Sequence, residues 1–285
     1  MKSATADRLA NFFFWTSGIS IILLLAWFLI DILGKGLPMI NWNFLTSRSE
    51  EIRPGGGVGP QLFNSFYILF LSLLFSLPIG MSAGIYLAIY ARKNAFTHLI
   101  RLSVEALSSV PSIVFGLFGY LLFANLLGLK FSIIGGAATI ALLNLPVLVR
   151  VTEEAIRTVP DSYWEASLAL GSTQWQALRK VLLPAALPGL MTGITLVSGR
   201  ALGESAILIY TAGLSVSRYF PDWNPLSMGE TLSVHLWYVQ SEAIVPDAKQ
   251  IAAGSAALLL IVVLIFNLLI GILSRLLQKR LSGGK

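Results

Sequence analysis

The sequence predicts an all-α fold, a polytopic membrane bundle of about six transmembrane helices. Three observations carry this. Only 12% of the 285 residues are charged and 55% are hydrophobic, whereas soluble domains carry about 25% charged residues. Six apolar runs approach the ~20 residues that a spanning helix needs. Lys and Arg flank those runs and form no single patch. That pattern is membrane topology, and it argues against nucleic acid as a partner despite a net charge of +6.

The first run, Phe12–Leu33, exceeds the about 7–15 apolar residues of a signal-peptide core and reads as a retained first span. Leu62–Tyr90 follows, with Pro78 expected to kink or tilt it. Leu102–Leu127 is the third, bent at Pro111, and Phe131–Val149 is the fourth and shortest. Leu187–Tyr210 and Ile251–Leu273 complete the set. With both termini cytoplasmic, 13 of the 20 Lys and Arg fall inside, six outside, and Arg200 within a span. The positive-inside rule favours that orientation in the bacterial inner membrane. It places Gly34–Gln61 and Thr211–Gln250 outside and Arg150–Ala186 inside, within a single permease domain spanning 1–285. Trp42, Trp223 and Trp237 then lie in outside segments, as interfacial anchors or docking contacts.

Three GxxxG pairs, Gly80/Gly84, Gly189/Gly193 and Gly199/Gly203, mark close helix approach in lipid. They fit packing within the bundle, with a second membrane subunit as the alternative. Asn144 is expected to satisfy backbone groups freed by Pro146, and Glu153 and Glu154 to be solvated loop charges.

The inside loop reads as structured. Ser162 and Glu165 fit a capping box after Pro160 and Asp161, and Thr173 with Gln176 fits a second. Gly171 supplies a left-handed helix end between them, and Pro184 is expected to stop the second helix. Trp175, Leu178 and Leu182 share one face, and Trp164, Leu168 and Gly171 another. Spacing leaves open whether these stripes pack on the bundle or fill a partner's groove.

Glu165-Ala-Ser, three residues, Gly171, nine residues and Val181-Leu-Leu-Pro184 resemble the EAA loop of ABC-importer permeases. Ser167 stands where that pattern has Ala, and Val181 where it has Ile. The resemblance implies a coupling helix docked on an ATPase subunit, carried by Glu165, Ala166, Ser167 and Gly171 with Trp164, Trp175 and Pro184 around them. Four further stretches resemble phosphate-importer permeases of the PstA type. They are Gly55-Gly-Gly-Val-Gly-Pro60, Val110-Pro-Ser-Ile-Val-Phe-Gly-Leu-Phe-Gly-Tyr120, Leu145-Pro-Val-Leu-Val-Arg-Val-Thr-Glu-Glu-Ala155 and Gly199-Arg-Ala-Leu-Gly-Glu-Ser205. Thr231-Leu-Ser-Val-His235 favours that subunit over its homologue. The resemblance implies a second permease of the PstC type, two ATP-binding subunits of the PstB type and an extracytoplasmic phosphate-binding protein of the PstS type. Membrane lipid is the remaining partner, and ATP and Mg would reside in the ATPase subunits.

Arg200 and Glu204 carry weight of their own. Four residues apart on a helix, they can face one another. Arg200 lies ~20 Å from the inner end of its span at ~1.5 Å per residue, where a charge costs about 2.5–3.5 kcal/mol and marks a pathway or a buried pair. An Arg fork can bond two oxygens of an oxyanion, with Glu204 holding or gating it. A structural salt bridge is the alternative. Pro111 and Ser112 join the candidate path because a bend exposes backbone groups, although a kink used only for packing is the favoured reading of them.

There is no G-x-x-x-x-G-K-[ST] phosphate loop and no His-Glu-x-x-His zinc site. The terminal Ser-Gly-Gly-Lys lacks the upstream Gly of a phosphate loop. Cys is absent, and His98 and His235 lie too far apart in sequence to suggest a metal site. The expectation is a phosphate permease without its own ATPase motif or bound cofactor. A permease for sulfate, molybdate or a phosphonate is the alternative within the class. A passive channel or membrane adaptor is the alternative outside it.

Overall fold

The computed structural model describes residues 2–50, 54–243 and 245–281. Arg53 of the outer set and the terminal Ser-Gly-Gly-Lys lie outside them. In chain order the helices begin with α1 (Lys2–Gly36), α2 (Trp42–Thr46), α3 (Gly59–Ile85), α4 (Ala95–Ser108), α5 (Ser112–Gly119) and α6 (Ile133–Arg157). Then come α7 (Asp161–Ala169), α8 (Gln174–Ala177), α9 (Leu183–Gly203), α10 (Ala206–Thr211), α11 (Leu232–Ser241) and α12 (Ala248–Leu281). Wider π-turns extend α3 through Tyr86–Tyr90 and α5 through Tyr120–Leu126, and a third, Leu178–Leu182, joins α8 to α9. Among the described residues the only extended pairing is one isolated bridge, Val216 to Gly229.

Five helices are long and apolar enough to cross a membrane, or six if the bent pair α4–α5 is one span. That pair corrects the third expected span. Leu102–Leu127 is not one bent rod; its two helices meet at 97°. Asn94 starts α4 early, its side chain accepting from the Thr97 N–H at 2.8 Å. Pro111 ends the run, since it lacks an N–H and drives the residue before it away from helical geometry. What remains to cross is Ser112–Leu126.

Pro184 is the second correction. It does not stop a helix, because Gln174–Gly203 forms one continuous 30-residue rod. The π-turn Leu178–Leu182 lies directly ahead, and its widened register accommodates a residue without an N–H. Pro78 and Pro146 also sit inside unbroken helices. The fifth expected span is corrected at its far end. Leu187–Tyr210 breaks after Gly203, Glu204 is extended at φ −75° and ψ 119°, and α10 restarts at Ala206.

The glycine pairs explain how α6 becomes the axis. A Cβ on Gly80 would meet the Leu148 Cβ at 2.7 Å, and one on Gly84 the Thr152 Cβ at 2.6 Å. A Cβ on Gly189 would meet that of Ala155 at 2.7 Å, and one on Gly193 a Val151 methyl at 2.7 Å. So α3 lies against α6 in parallel and α9 antiparallel, each at small-residue distance. These two GxxxG pairs serve packing within the chain. Gly199 approaches only Asn267, and Gly203 faces open space. The main core joins α3, α5, α6, α9 and α10 through Ile68, Phe115, Ile140, Leu202, Ile207 and Leu208.

α3 and α6 finish, and α9 starts, at the end bearing the 158–182 loop, here the loop end. There α4 is pinned across α6. Arg101 Nε and Arg157 both reach Glu153 Oε1 at 2.8 Å, and Arg101 also donates to the Leu87 carbonyl at 3.1 Å. Glu153 is 8% exposed and Glu154 pairs with Arg150 at 3.0 Å. Neither is a loop charge, because α6 continues through both of them to Arg157; Glu154 is solvent-exposed and Glu153 is not.

At the far end, the 212–231 segment caps α6. The Ile133 and Ile134 N–H groups donate to the carbonyls of Ser227 and Pro225, both at 2.9 Å. Trp223 stacks edge-on against Phe63 of α3 at 4.8 Å. Asp222 shapes the turn. The Ser217 side chain, then the Asn224 N–H and the Ser227 side chain, hold its carboxyl below the ordinary 3.8.

Candidate functional site

Two places stand out, the loop at one end of the bundle and a layer of helix breaks within it. In the loop, α7 begins at Asp161 behind Pro160, so Ser162 lies inside the helix and caps nothing. The Thr173–Gln176 capping box does form. Gly171 has φ +83°, the left-handed geometry that ends a helix at little cost only for glycine. Ser167 has a use that Ala would not. Its hydroxyl lies 2.7 Å from that of Ser172, which also donates to the Ser167 carbonyl at 2.7 Å.

The two apolar stripes divide by residue. Leu178 and Leu182 are buried against Ile156 and Val159, and Trp164 is half-buried on the same cluster. Leu170 is 89% exposed, Trp175 62% and Tyr163 52%, with Glu165 and Ala166 exposed beside them. The loop therefore clamps to the bundle through Leu178, Leu182 and Trp164 and leaves Tyr163, Leu170 and Trp175 exposed as an apolar knob. Tyr163 and Leu170 were the residues that spacing missed. With Ala166 they recur at i, i+3 and i+7 on the face opposite Trp164 and Leu168. Pro184 is half-buried at the root of the rod and is no part of the knob.

The second place corrects a helix-based expectation. Arg200 is on the last turn of α9 and exposed, while Glu204 lies past the helix end. They are not i, i+4 partners on one helix, and no salt bridge joins them. Arg200 points away from the chain's own core, since Val197, Ser198 and Ala201 occupy the buried side. The antiparallel α6–α9 register sets its level. Gly193 meets Val151, so Arg200, seven residues further, stands level with Asn144. The parallel α3–α6 register brings Ser76 to the same level. Asn144 is fully buried, but both its side-chain polar atoms and the Ser76 hydroxyl lack partners. Asn144 thus does not satisfy the groups freed by Pro146.

Pro111 and Ser112 join this layer. A Cβ on Gly116 of α5 would lie 3.1 Å from the Ala206 carbonyl oxygen of α10. Both helices run toward the far end, and one turn back along each lie Ser112 and the Gly203–Glu204 break. Two interrupted helices are therefore packed with their interruptions side by side, at the depth of an unpaired arginine. Irregular backbone at membrane depth is tolerated only where protein buries it or where it lines a wet cavity. Discontinuous helices of this kind build ion and substrate sites in transporters. Among the described residues no group of three or more His, Asp or Glu could hold a metal ion.

Residues 76–283 match the family described as binding-protein-dependent transport system inner membrane component. The chain belongs to that family. It is an ABC-importer permease subunit and a multi-pass protein of the inner membrane. A probable ABC transporter permease protein, YqgI of Bacillus subtilis, is 44% identical over 292 aligned positions covering 99% of both chains. The phosphate transport system permease protein PstA of Haemophilus influenzae is 35% identical, covering 86% of this chain and 85% of that one. PstA 2 of Mycobacterium tuberculosis is 32% identical over 89% and 82%. Solved structures share the fold. A bacterial alginate ABC transporter chain superposes with TM-score 0.64 over 99% of this permease and 98% of that chain at 14% identity. The inward-facing MetNI methionine transporter gives 0.57 over 78% and 94% at 21% identity.

Proposed function

We propose that this permease, as one transmembrane domain over residues 1–285, passes inorganic phosphate across the cytoplasmic membrane, powered by ATPase subunits that dock on the 158–182 loop. The observation that carries the reading is the exposed Arg200 level with two adjacent helix breaks. Arg binds oxyanions through paired N–H groups, and a charge at that depth is functional by default. The relatives called PstA favour phosphate among oxyanions. The apolar knob Tyr163, Leu170 and Trp175, with Glu165 and Ala166, gives an ATPase groove something to grip, for which a passive channel has no use. Arg200 faces away from its own core, so a second permease of the PstC type completes the path. A PstS-type protein delivers phosphate at the far end, which is the outer face, and both termini are cytoplasmic. The chain itself is expected to hydrolyse no ATP and bind no cofactor.

The test is substrate-stimulated ATP hydrolysis by the full complex in liposomes with its binding protein. Phosphate should stimulate hydrolysis and be taken up. Stimulation by sulfate or molybdate but not phosphate would move the substrate to another oxyanion.

A further inference from the structure

We infer that Ser233 is a positioning residue for transport, fixing the α9–α10 break and with it Glu204. The proposal rests on the reading of Arg200 and Glu204 as pathway groups. Past Gly203 the α9 ladder is over, and the Glu204 carbonyl needs a partner from elsewhere, because an orphan carbonyl at membrane depth is expensive. It finds one in α11, where the Ser233 hydroxyl donates to it at 2.9 Å. Glu204 is thus held to its place by a side chain 29 residues on, and not by helical register to Arg200.

Ser233 can serve as a fixed point because the start of α11 is itself anchored. Glu230 is buried, 3% exposed, just ahead of it. The Gln61 amide of α3 donates to Glu230 Oε2 at 2.8 Å, and His235 Nδ1 lies 3.2 Å from Oε1. The Asn64 amide donates to the Glu230 backbone carbonyl at 3.0 Å. A buried carboxylate is tolerated only when paired and hydrogen-bonded. This cluster therefore needs its members together, and it ties the start of α3 to the start of α11. From there one hydroxyl reaches the break. A shift of α3 relative to α9 must move Ser233 or stretch its bond to Glu204.

The experiment measures phosphate uptake per ATP hydrolysed by the reconstituted complex. Ser233→Ala should lower it by about 10-fold, with complex yield unchanged, and Ser233→Thr, which keeps the donor, should stay within about 2-fold of the wild type. In a Glu204→Gln background Ser233→Ala should cost nothing further, because it acts through Glu204. Full uptake by Ser233→Ala, equal losses in the Ala and Thr variants, or losses that multiply in the double variant would overturn the proposal. Normal uptake by Glu204→Gln alone would instead remove the pathway reading beneath it. If Ser233→Ala does not assemble, His235→Gln, which loosens the same anchor, takes its place in the double-variant comparison under the same criteria.

Discussion

At Leu170 an apolar side chain is left 89% exposed beside a glycine that already provides the turn. Nothing in this chain's fold asks for Leu there, and the proposed function gives it a use in a partner's groove. Leu170→Asp should leave the stability of the isolated permease within about 0.5 kcal/mol of the wild type. It should also weaken ATPase docking about 5–30-fold, since a desolvated apolar anchor contributes about 1–2 kcal/mol. Co-purification of tagged ATPase reads this, and undiminished capture would sink the knob. Single residues were unevenly legible in the sequence. The Thr173 cap and the Gly171 turn are local chemistry, and both are as the sequence reads. The Ser162 cap fails because the helix starts two residues sooner, with Pro160 at the cap position. Glu153 reads as a loop charge in the sequence because nothing local announces Arg101, 52 residues earlier, as its partner.

Whole elements show where local rules run out. The same residue type breaks the chain at Pro111 but is carried inside helices at Pro78, Pro146 and Pro188. The difference lies in the flanks. α4 is amphipathic, has its own Asn94 cap and is held across α6 by Arg101, so it already points elsewhere. The three carried prolines lie in rods packed on neighbours along their length. The break at Glu204 had a faint signal, a Gly followed by Glu and Ser, but four apolar residues resume directly afterwards and conceal it. The glycine pairs gave the closest reading of the packing. Gly84→Leu would drive its side chain into Thr152 and the Val149 carbonyl oxygen, both 2.6 Å from the first added carbon. The latter is backbone and cannot move aside. Overpacking of this kind costs about 1–3 kcal/mol, and a clear fall in melting temperature should follow. Gly203→Ala, with open space around it, should melt like the wild type. Equal melting by both variants would remove α6 as the axis.

The molecule as a whole leaves much apolar surface uncovered. No residue in the most apolar stretch of α1 is buried, and Arg200 faces outward from the chain's own core. Lipid accounts for the apolar faces of a permease but not for an arginine, whose charge in hydrocarbon would be costly. Under the proposed function the bundle is half of a path; its class was legible from composition while the geometry of its polar layer was not. That layer depends on two registers, α3 on α6 and α6 on α9, which place Ser76, Asn144 and Arg200 at one depth from three distant segments. The most direct measurement is phosphate uptake by the reconstituted complex carrying Arg200→Ala. Losing charge-assisted hydrogen bonds to an oxyanion should cut uptake about 10–100-fold, with assembly and binding-protein docking intact. Wild-type uptake by that variant would contradict the account and return Arg200 to a role in packing.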